Sequence, residues 1–142
     1  MSSDARRWIA RLLIGLVLAW NVQAALAFLI WPSSFVWAYE LSGVAGEAAI
    51  RGVGVLFLMW NVPYVPALWH PIRYRLALVL AWTMQLVGLA GETLILVSLP
   101  SGHVTLGTSV LRFIVFDAAG LVLLGIAWWL VRREQEPIRI DG

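Results

Sequence analysis

Long apolar segments alternate along this chain with short breaks that contain proline, glycine and polar residues. The apolar segments cover about 8–30, 43–62, 74–99 and 104–131, and each reaches the ~20 residues that a helix needs to cross ~30 Å of hydrocarbon. The breaks read WPSS, VPYVPALWHP and LPSGH, and proline in each of them interrupts helical hydrogen bonding. The pattern predicts an all-α protein, a bundle of four transmembrane helices that forms a single membrane domain over residues 1–142.

The composition narrows the class of protein. Of the 142 residues, 61% are hydrophobic and 13% are charged, and the mean hydropathy is +0.85. A soluble domain of this size could not bury so much apolar surface in one core. The chain has no cysteine, which excludes disulfides, thiol redox centres and thiolate metal sites. The formal net charge of +2 gives no indication of nucleic-acid binding, so the partner that composition predicts is the lipid bilayer.

The arginines are unevenly distributed between the connections. The first-to-second and the third-to-fourth connections contain none, whereas both chain ends and the middle connection contain several. These arginines are Arg6, Arg7, Arg11, Arg73, Arg75, Arg132, Arg133 and Arg139. Because positive residues near span ends favour the cytoplasmic side, both termini and the middle connection are predicted to be cytoplasmic. We expect a multi-pass protein of the plasma (inner) membrane.

Two parts of the chain resemble each other. Residues 11–23 read RLLIGLVLAWNVQ and residues 73–85 read RYRLALVLAWTMQ, so they share an Arg, the run LVLAW and a Gln at one constant offset. A second match pairs AAIR, which ends at Arg51, with SVLR, which ends at Arg112. The matches predict two repeated helical hairpins in parallel orientation, related by a pseudo-twofold axis along the membrane normal.

Charged residues lie inside the apolar segments, where a charge at the bilayer centre costs from about 2.5 to more than 10 kcal/mol. At ~1.5 Å of rise per residue, Arg51, Glu92 and Arg112 lie at one level, roughly 10–12 Å below the outer boundary. Glu47 lies nearer the surface and Asp117 nearer the midplane. We predict that these five residues form one cluster in the outer half of the membrane, with Glu92 ion-paired to Arg51 or Arg112.

The cluster has two interpretations. It is either a self-neutralising network that fixes helix register, or a site in which the arginines hold an anionic lipid head group or a quinone carbonyl. Three carboxylates against two arginines leave one carboxylate that is protonated or faces water or a ligand. Asp117 is the residue that the first interpretation explains least. Beside the cluster, Asn21, Gln23 and Gln85 are predicted to form a polar core, hydrogen-bonded near Trp residues.

No catalytic constellation is recognised, and the sequence does not predict an enzyme. His70 and His103 fall in connections on opposite sides of the membrane, so they cannot jointly bind a haem or a metal ion. No cofactor is predicted beyond a bound lipid or quinone. The leading hypothesis is a non-catalytic accessory or assembly subunit of a larger membrane complex, with other membrane subunits as partners. The alternative is a lipid- or quinone-binding module, or a small transporter, that uses the charged cluster.

The stretch GEAAIRGVGVLFLMWNVPYVPALWHPIRYRLALVLAWTMQLVGLAGE, residues 46–92, resembles the DoxX-like small four-helix membrane proteins. In that group an acidic-x-x-x-Arg-Gly element opens the second span, as Glu47, Arg51 and Gly52 do here. The resemblance implies a four-helix membrane fold and an accessory role beside membrane oxidoreductases, near quinone chemistry. It implies no catalytic residue.

Overall fold

A computed structural model describes residues 2–132, and within that range the chain is helical and contains no strand. The predictions that involve Arg133 and Arg139 lie outside the described residues. The helices are α1 (Ser3–Ile30), α2 (Gly43–Trp60), α3 (Tyr64–Trp69), α4 (Arg75–Ser98) and α5 (Val104–Val131), with two 3₁₀ turns, Pro32–Ser34 and Val36–Tyr39, between α1 and α2.

The prediction of four spans is confirmed. The helices α1, α2, α4 and α5 are each long and apolar enough to cross a membrane, so the chain has the architecture of a multi-pass membrane protein. The first span begins at Ser3 rather than near residue 8, because the Ser2 side chain accepts a hydrogen bond from the Ala5 amide at 3.2 Å and caps the helix.

The short helix α3 lies in the segment that the sequence suggested as a simple break. Its prolines do not prevent it, since Pro63 precedes the helix and Pro66 sits in its first turn, where no intrahelical N–H donor is needed. Tyr64 and Ala67 of α3 are fully buried. The segment therefore turns back into the bundle and packs against α1 and α4.

The helices pack unevenly around the bundle. The extensive contacts are α1 with α2, α1 with α5, and α4 with α5, whereas α2 and α4 are not one of the packed pairs. Gly54 allows the close approach of α1 and α2, since a Cβ there would lie 2.9 Å from the Ala25 carbonyl oxygen. The bundle is consequently open between α2 and α4.

The buried apolar core occupies the half of the bundle that contains α3. Helices α1, α4 and α5 contribute small and branched side chains there, and Tyr64 is the largest buried member. At the other end, beneath the 3₁₀ turns, the packing depends on aromatic rings around Phe28, which contacts Phe35, Tyr39, Phe57 and Phe113 at centroid distances of 4.8–6.3 Å. Several of these rings also line cavities at this end of the bundle, and the candidate site is one of those cavities.

Candidate functional site

A cavity of about 370 Å³ lies where α2 and α4 diverge, and we call it the α2–α4 cavity. All four spans line it. Its walls are mainly apolar and aromatic, with five polar residues among them. The apolar lining consists of Ala24, Phe57, Trp60, Val87, Gly88, Gly91, Ile95, Phe113 and Phe116, and the polar lining of Asn21, Asn61, Glu92, Arg112 and Asp117.

A chain of hydrogen bonds holds Asp117 on the cavity wall. The Tyr64 hydroxyl donates to Gln85 Oε1 at 2.6 Å, and Gln85 Nε2 donates to Asp117 Oδ1 at 2.8 Å. Tyr64 and Gln85 are almost completely buried. Gly120 makes room for this arrangement, because a Cβ there would lie 2.6 Å from the Gln85 amide nitrogen. The orientation of the Gln85 amide is therefore fixed from both sides.

Two asparagines leave polar atoms unpaired beside the cavity. Asn21 is 7% exposed and Asn61 is 4% exposed. Within the described part of the chain, Asn61 Oδ1 has no hydrogen-bond partner, and Asn21 Nδ2, which lies near the Tyr64 hydroxyl, forms no hydrogen bond of good geometry. Asn61 Nδ2 donates to the Phe57 carbonyl at 2.6 Å, which leaves its oxygen as the free acceptor. A buried polar group without a partner costs about 1–3 kcal/mol, so the cavity offers one donor and one acceptor to a guest molecule.

The predicted five-residue cluster is divided in the structure. Glu92, Arg112 and Asp117 line the α2–α4 cavity, but Glu47 and Arg51 do not. Arg51 Nη2 instead lies 3.6 Å from Glu47 Oε2, and the two side chains are 52% and 36% exposed. The buried face of α2 carries Gly46, Ile50 and Gly54; successive helical residues differ by about 100° in direction, which places Arg51 to one side of that face.

The predicted ion pair of Glu92 is also not formed. Among residues 2–132, no salt bridge joins Glu92 to Arg51 or to Arg112. Arg51 instead lies beside Glu47, outside the cavity, while Arg112 and Glu92 line the same cavity without forming a salt bridge.

The structure places two residues of the predicted polar core in the interior and the third at the surface. Asn21 and Gln85 are buried, whereas Gln23 is exposed. Asn21 and Gln23 lie two positions apart on α1, which is about 200° around a helix, so they cannot share a buried face.

Gln23 lines a second cavity of about 560 Å³, bounded by α1, the 3₁₀ turns and α5. Its other polar members are Tyr39, Ser109 and Arg112. Ser109 Oγ donates to the Ala38 carbonyl at 2.6 Å and ties the second 3₁₀ turn to α5. Burial raises the pKa of Tyr39, so its hydroxyl stays protonated as a hydrogen-bond donor. Arg112 lines both cavities and thus stands on the wall between them.

Sequence reasoning did not assign Asn61 or Tyr64 to the site. Asn61 lies at the end of the predicted second span, and Tyr64 lies in the connection that the proline pattern marks after it. The available signal was the polar pair itself, an Asn and a Tyr three positions apart within an otherwise apolar turn. Because buried amides and phenols need partners, such a pair indicates a turn that enters the core.

No protein-family model, curated protein or solved structure matches this chain significantly. The DoxX-like resemblance therefore stays a prediction, and the geometry of the site carries the functional argument.

Proposed function

We propose that this protein is a membrane module that binds a lipid-soluble molecule with a polar end in the α2–α4 cavity. The observation that carries the proposal is the pair of buried amide groups of Asn21 and Asn61, each with an unsatisfied atom, on the wall of a cavity between two spans that make few contacts with each other. A lipid or a quinone belongs to this class of ligand. The proposal develops the binding-module alternative of the sequence analysis.

The surroundings of the cavity favour a ligand that arrives from the bilayer. Polar groups at the depth of the hydrocarbon cannot rely on bulk water, so their partners come from protein or from a bound molecule. A guest that donates to Asn61 relieves the desolvation cost of its oxygen, and an acceptor on the guest would do the same for Asn21. The aromatic walls fit an apolar body, as in most small-molecule sites between the helices of a bundle.

The membrane placement belongs to the same proposal. The arginine distribution supports an orientation with both termini in the cytoplasm, in a plasma (inner) membrane, with the α2–α4 cavity in the outer half. The shared sequence of residues 11–23 and 73–85 supports an origin of the α1–α2 and α4–α5 hairpins by duplication.

Two glycines allow a matched test of the cavity. A Cβ at Gly91 or at Gly52 would meet nothing within 4 Å, and both residues lie inside spans, but only Gly91 lines the cavity. Leucine at position 91 should fill the cavity without a clash, and leucine at position 52 should not affect it.

The measurement is native mass spectrometry of the protein released from mild detergent or nanodiscs. The wild type and Gly52→Leu should carry a small molecule at one copy per chain, and Gly91→Leu should lose at least ten-fold of that occupancy. A wild-type protein that carries no small molecule, or a Gly91→Leu protein that keeps it, contradicts the proposal.

The accessory-subunit hypothesis is the second candidate, and one observation favours it. The Glu47–Arg51 pair is partly exposed on a span, where hydrocarbon alone would leave it poorly solvated. A neighbouring subunit that covers this pair would be seen as a stoichiometric protein in the same mass spectra. Its loss on replacing Arg51 by Leu, with the small-molecule occupancy unchanged, would assign the pair to an interface.

A further inference from the structure

The charges that line the α2–α4 cavity are not balanced. Glu92 and Asp117 contribute carboxylates, and Arg112 contributes the one guanidinium among the lining residues. Arg51, which the sequence placed in this layer, lies outside the cavity beside Glu47. Arg112 is in addition shared with the second cavity. The α2–α4 cavity therefore has one more carboxyl group than it has guanidinium groups.

Asp117 is a carboxylate that its surroundings compensate only in part. In the described chain it accepts a hydrogen bond from Gln85 at Oδ1 and forms no salt bridge. Its second oxygen, Oδ2, lies against Gly88, a residue without a side chain. A half-buried carboxylate with one neutral donor is costly when ionised, and a cation bound beside Oδ2 would offset that cost.

An aromatic ring stands next to this oxygen. A Cβ built on Gly88 would contact Asp117 Oδ2 and would also lie 3.4 Å from Cζ2 of Trp60. The Asp117 carboxylate of α5 and the Trp60 indole of α2 thus both lie beside Gly88 of α4. A carboxylate near an indole ring is a favourable environment for an organic cation, since the negative charge attracts it and so does the ring quadrupole of an indole whose face it reaches.

The unpaired acceptor completes the arrangement. Asn61 is 4% exposed, lines the same cavity one residue from Trp60, and its Oδ1 lacks a partner among the described residues. An acceptor at this place fits an N–H donor of the guest. It gives no advantage to a carboxylate or a phosphate.

From this arrangement we infer that the polar end of the guest is an organic ammonium, held between Asp117, Trp60 and Asn61, with its apolar body against the phenyl rings of the cavity. The inference rests on the proposed function and narrows its ligand class from amphiphiles in general to cationic ones. A free lipophilic amine and a lipid with an amine head group present the same chemistry, and the mass of the co-purified guest distinguishes them.

The test uses three probes with one body and different charges: para-tert-butylbenzylammonium, para-tert-butylbenzoate and para-tert-butylbenzyl alcohol. Each is titrated by calorimetry at pH 7 into the full-length protein in a non-ionic detergent. The Gly91→Leu protein, with its cavity filled, gives the background from the micelle. We expect the ammonium to bind at least ten-fold more tightly than the benzoate or the alcohol.

Substitutions of single carboxylates show which residues cause the preference for the ammonium probe. Asp117→Asn keeps the oxygen that accepts from Gln85 and should weaken ammonium binding ten-fold or more, and Glu92→Gln provides a second variant if the first is poorly folded. Glu47→Gln, which alters a carboxylate outside the cavity, should leave the affinity unchanged.

Two other outcomes separate the charge inference from the proposed function. Tighter binding of the benzoate or the alcohol overturns the ammonium inference and leaves the cavity as a binding site. If none of the three probes binds, but the purified protein carries a guest that Gly91→Leu removes, the ammonium inference is also overturned and the cavity remains a binding site. If no probe binds and no guest is found, the proposed function fails as well.

Discussion

At the scale of single residues, Gln85 is the polar group on which the interior of the bundle depends most. It accepts from Tyr64 and donates to Asp117, at 2.6 and 2.8 Å. Its removal therefore leaves Asp117 Oδ1 without its donor and leaves the Tyr64 hydroxyl with the longer hydrogen bond to the Ala81 carbonyl, at 3.4 Å. Each such loss costs about 1–3 kcal/mol, and more where a charge is involved. Gln85 thus stabilises the packing of α3 against α4 and also holds Asp117 in its position on the cavity wall.

We expect Gln85→Leu to lower the free energy of unfolding by about 2–4 kcal/mol, seen as a lower melting temperature in detergent. The matched control is Gln23→Leu, a change of the same type at an exposed position, which should shift the melting temperature little. Equal effects of the two substitutions would contradict the role given to the hydrogen-bonded chain.

Sequence reasoning identified some of these residues and missed others for a physical reason. The rise per residue places Glu92 and Arg112 at one depth and Asp117 nearer the midplane, and these three residues line one cavity. Arg51, which it places at the same depth, does not line that cavity. Depth does not determine direction around the helix. Because lipid is as apolar as a protein core, the hydropathy of α2 does not reveal that Arg51 lies off the packed face.

At the scale of elements, the four spans could be predicted because each one needs ~20 apolar residues to cross the hydrocarbon. Which pairs of spans pack together depends on close contacts such as Gly54 against Ala25, and on the turn of α3 into the core. Those contacts have no counterpart in a hydropathy pattern. These contacts leave the gap between α2 and α4. Because the hydropathy pattern does not show the contacts, it could not indicate the cavity either.

Glu40 joins two elements at the end of the bundle opposite α3. It adopts a left-handed backbone conformation, with φ of 55°, at the end of the second 3₁₀ turn. Its carboxylate accepts from His103 Nδ1 at 2.5 Å and from the Leu106 amide at 3.1 Å in the first turn of α5. The hydrogen bond from His103, followed by that from Leu106, lowers the pKa of Glu40 below its ordinary value of 4.5.

The hydrogen bonds of Glu40 predict that the attachment of the second 3₁₀ turn to α5 weakens at acid pH. A carboxyl whose pKa is lower in the folded protein contributes stability above its ordinary pKa, and the contribution is lost as the pH falls through the folded value. We expect the melting temperature of the wild type to fall below pH 4.5 more steeply than that of Glu40→Gln, which has no charge to lose. Parallel curves for the two proteins down to pH 3, measured in the same detergent, would show that the link does not contribute.

At the scale of the whole molecule, the packing departs from the symmetry that a duplication would produce. A twofold axis that exchanges the α1–α2 and α4–α5 hairpins would relate the α1–α5 contact to an α4–α2 contact. The first is extensive and the second is open. The two matched sequences also differ at this cavity: Glu92 of α4, which lines it, corresponds to the apolar Ile30 of α1. If the hairpins are repeats, the cavity is the part of the molecule where the two copies have diverged.

The arginines near α3 support one orientation of this asymmetric molecule in the membrane. Arg11 donates from Nε to the Leu68 carbonyl at 3.1 Å, and its guanidinium lies 4.7 Å from the ring centroid of Trp8. Arg73 lies in a similar way over Tyr74, at 5.6 Å. Arginine together with interfacial aromatic residues is typical of the cytoplasmic boundary of a membrane protein.

Because the chain has no cysteine, a single introduced thiol reports which side of the membrane a residue faces. Ser101, in the turn between α4 and α5, is exposed, and so is Ser3 at the start of α1. With the arginine-rich end in the cytoplasm, a membrane-impermeant maleimide added to intact cells should label Ser101→Cys, and it should label Ser3→Cys only after permeabilisation. Labelling of both proteins after permeabilisation is the control for reactivity. The reverse pattern would place the α2–α4 cavity in the cytoplasmic half of the bilayer, so that its ligand would have to come from the inner leaflet.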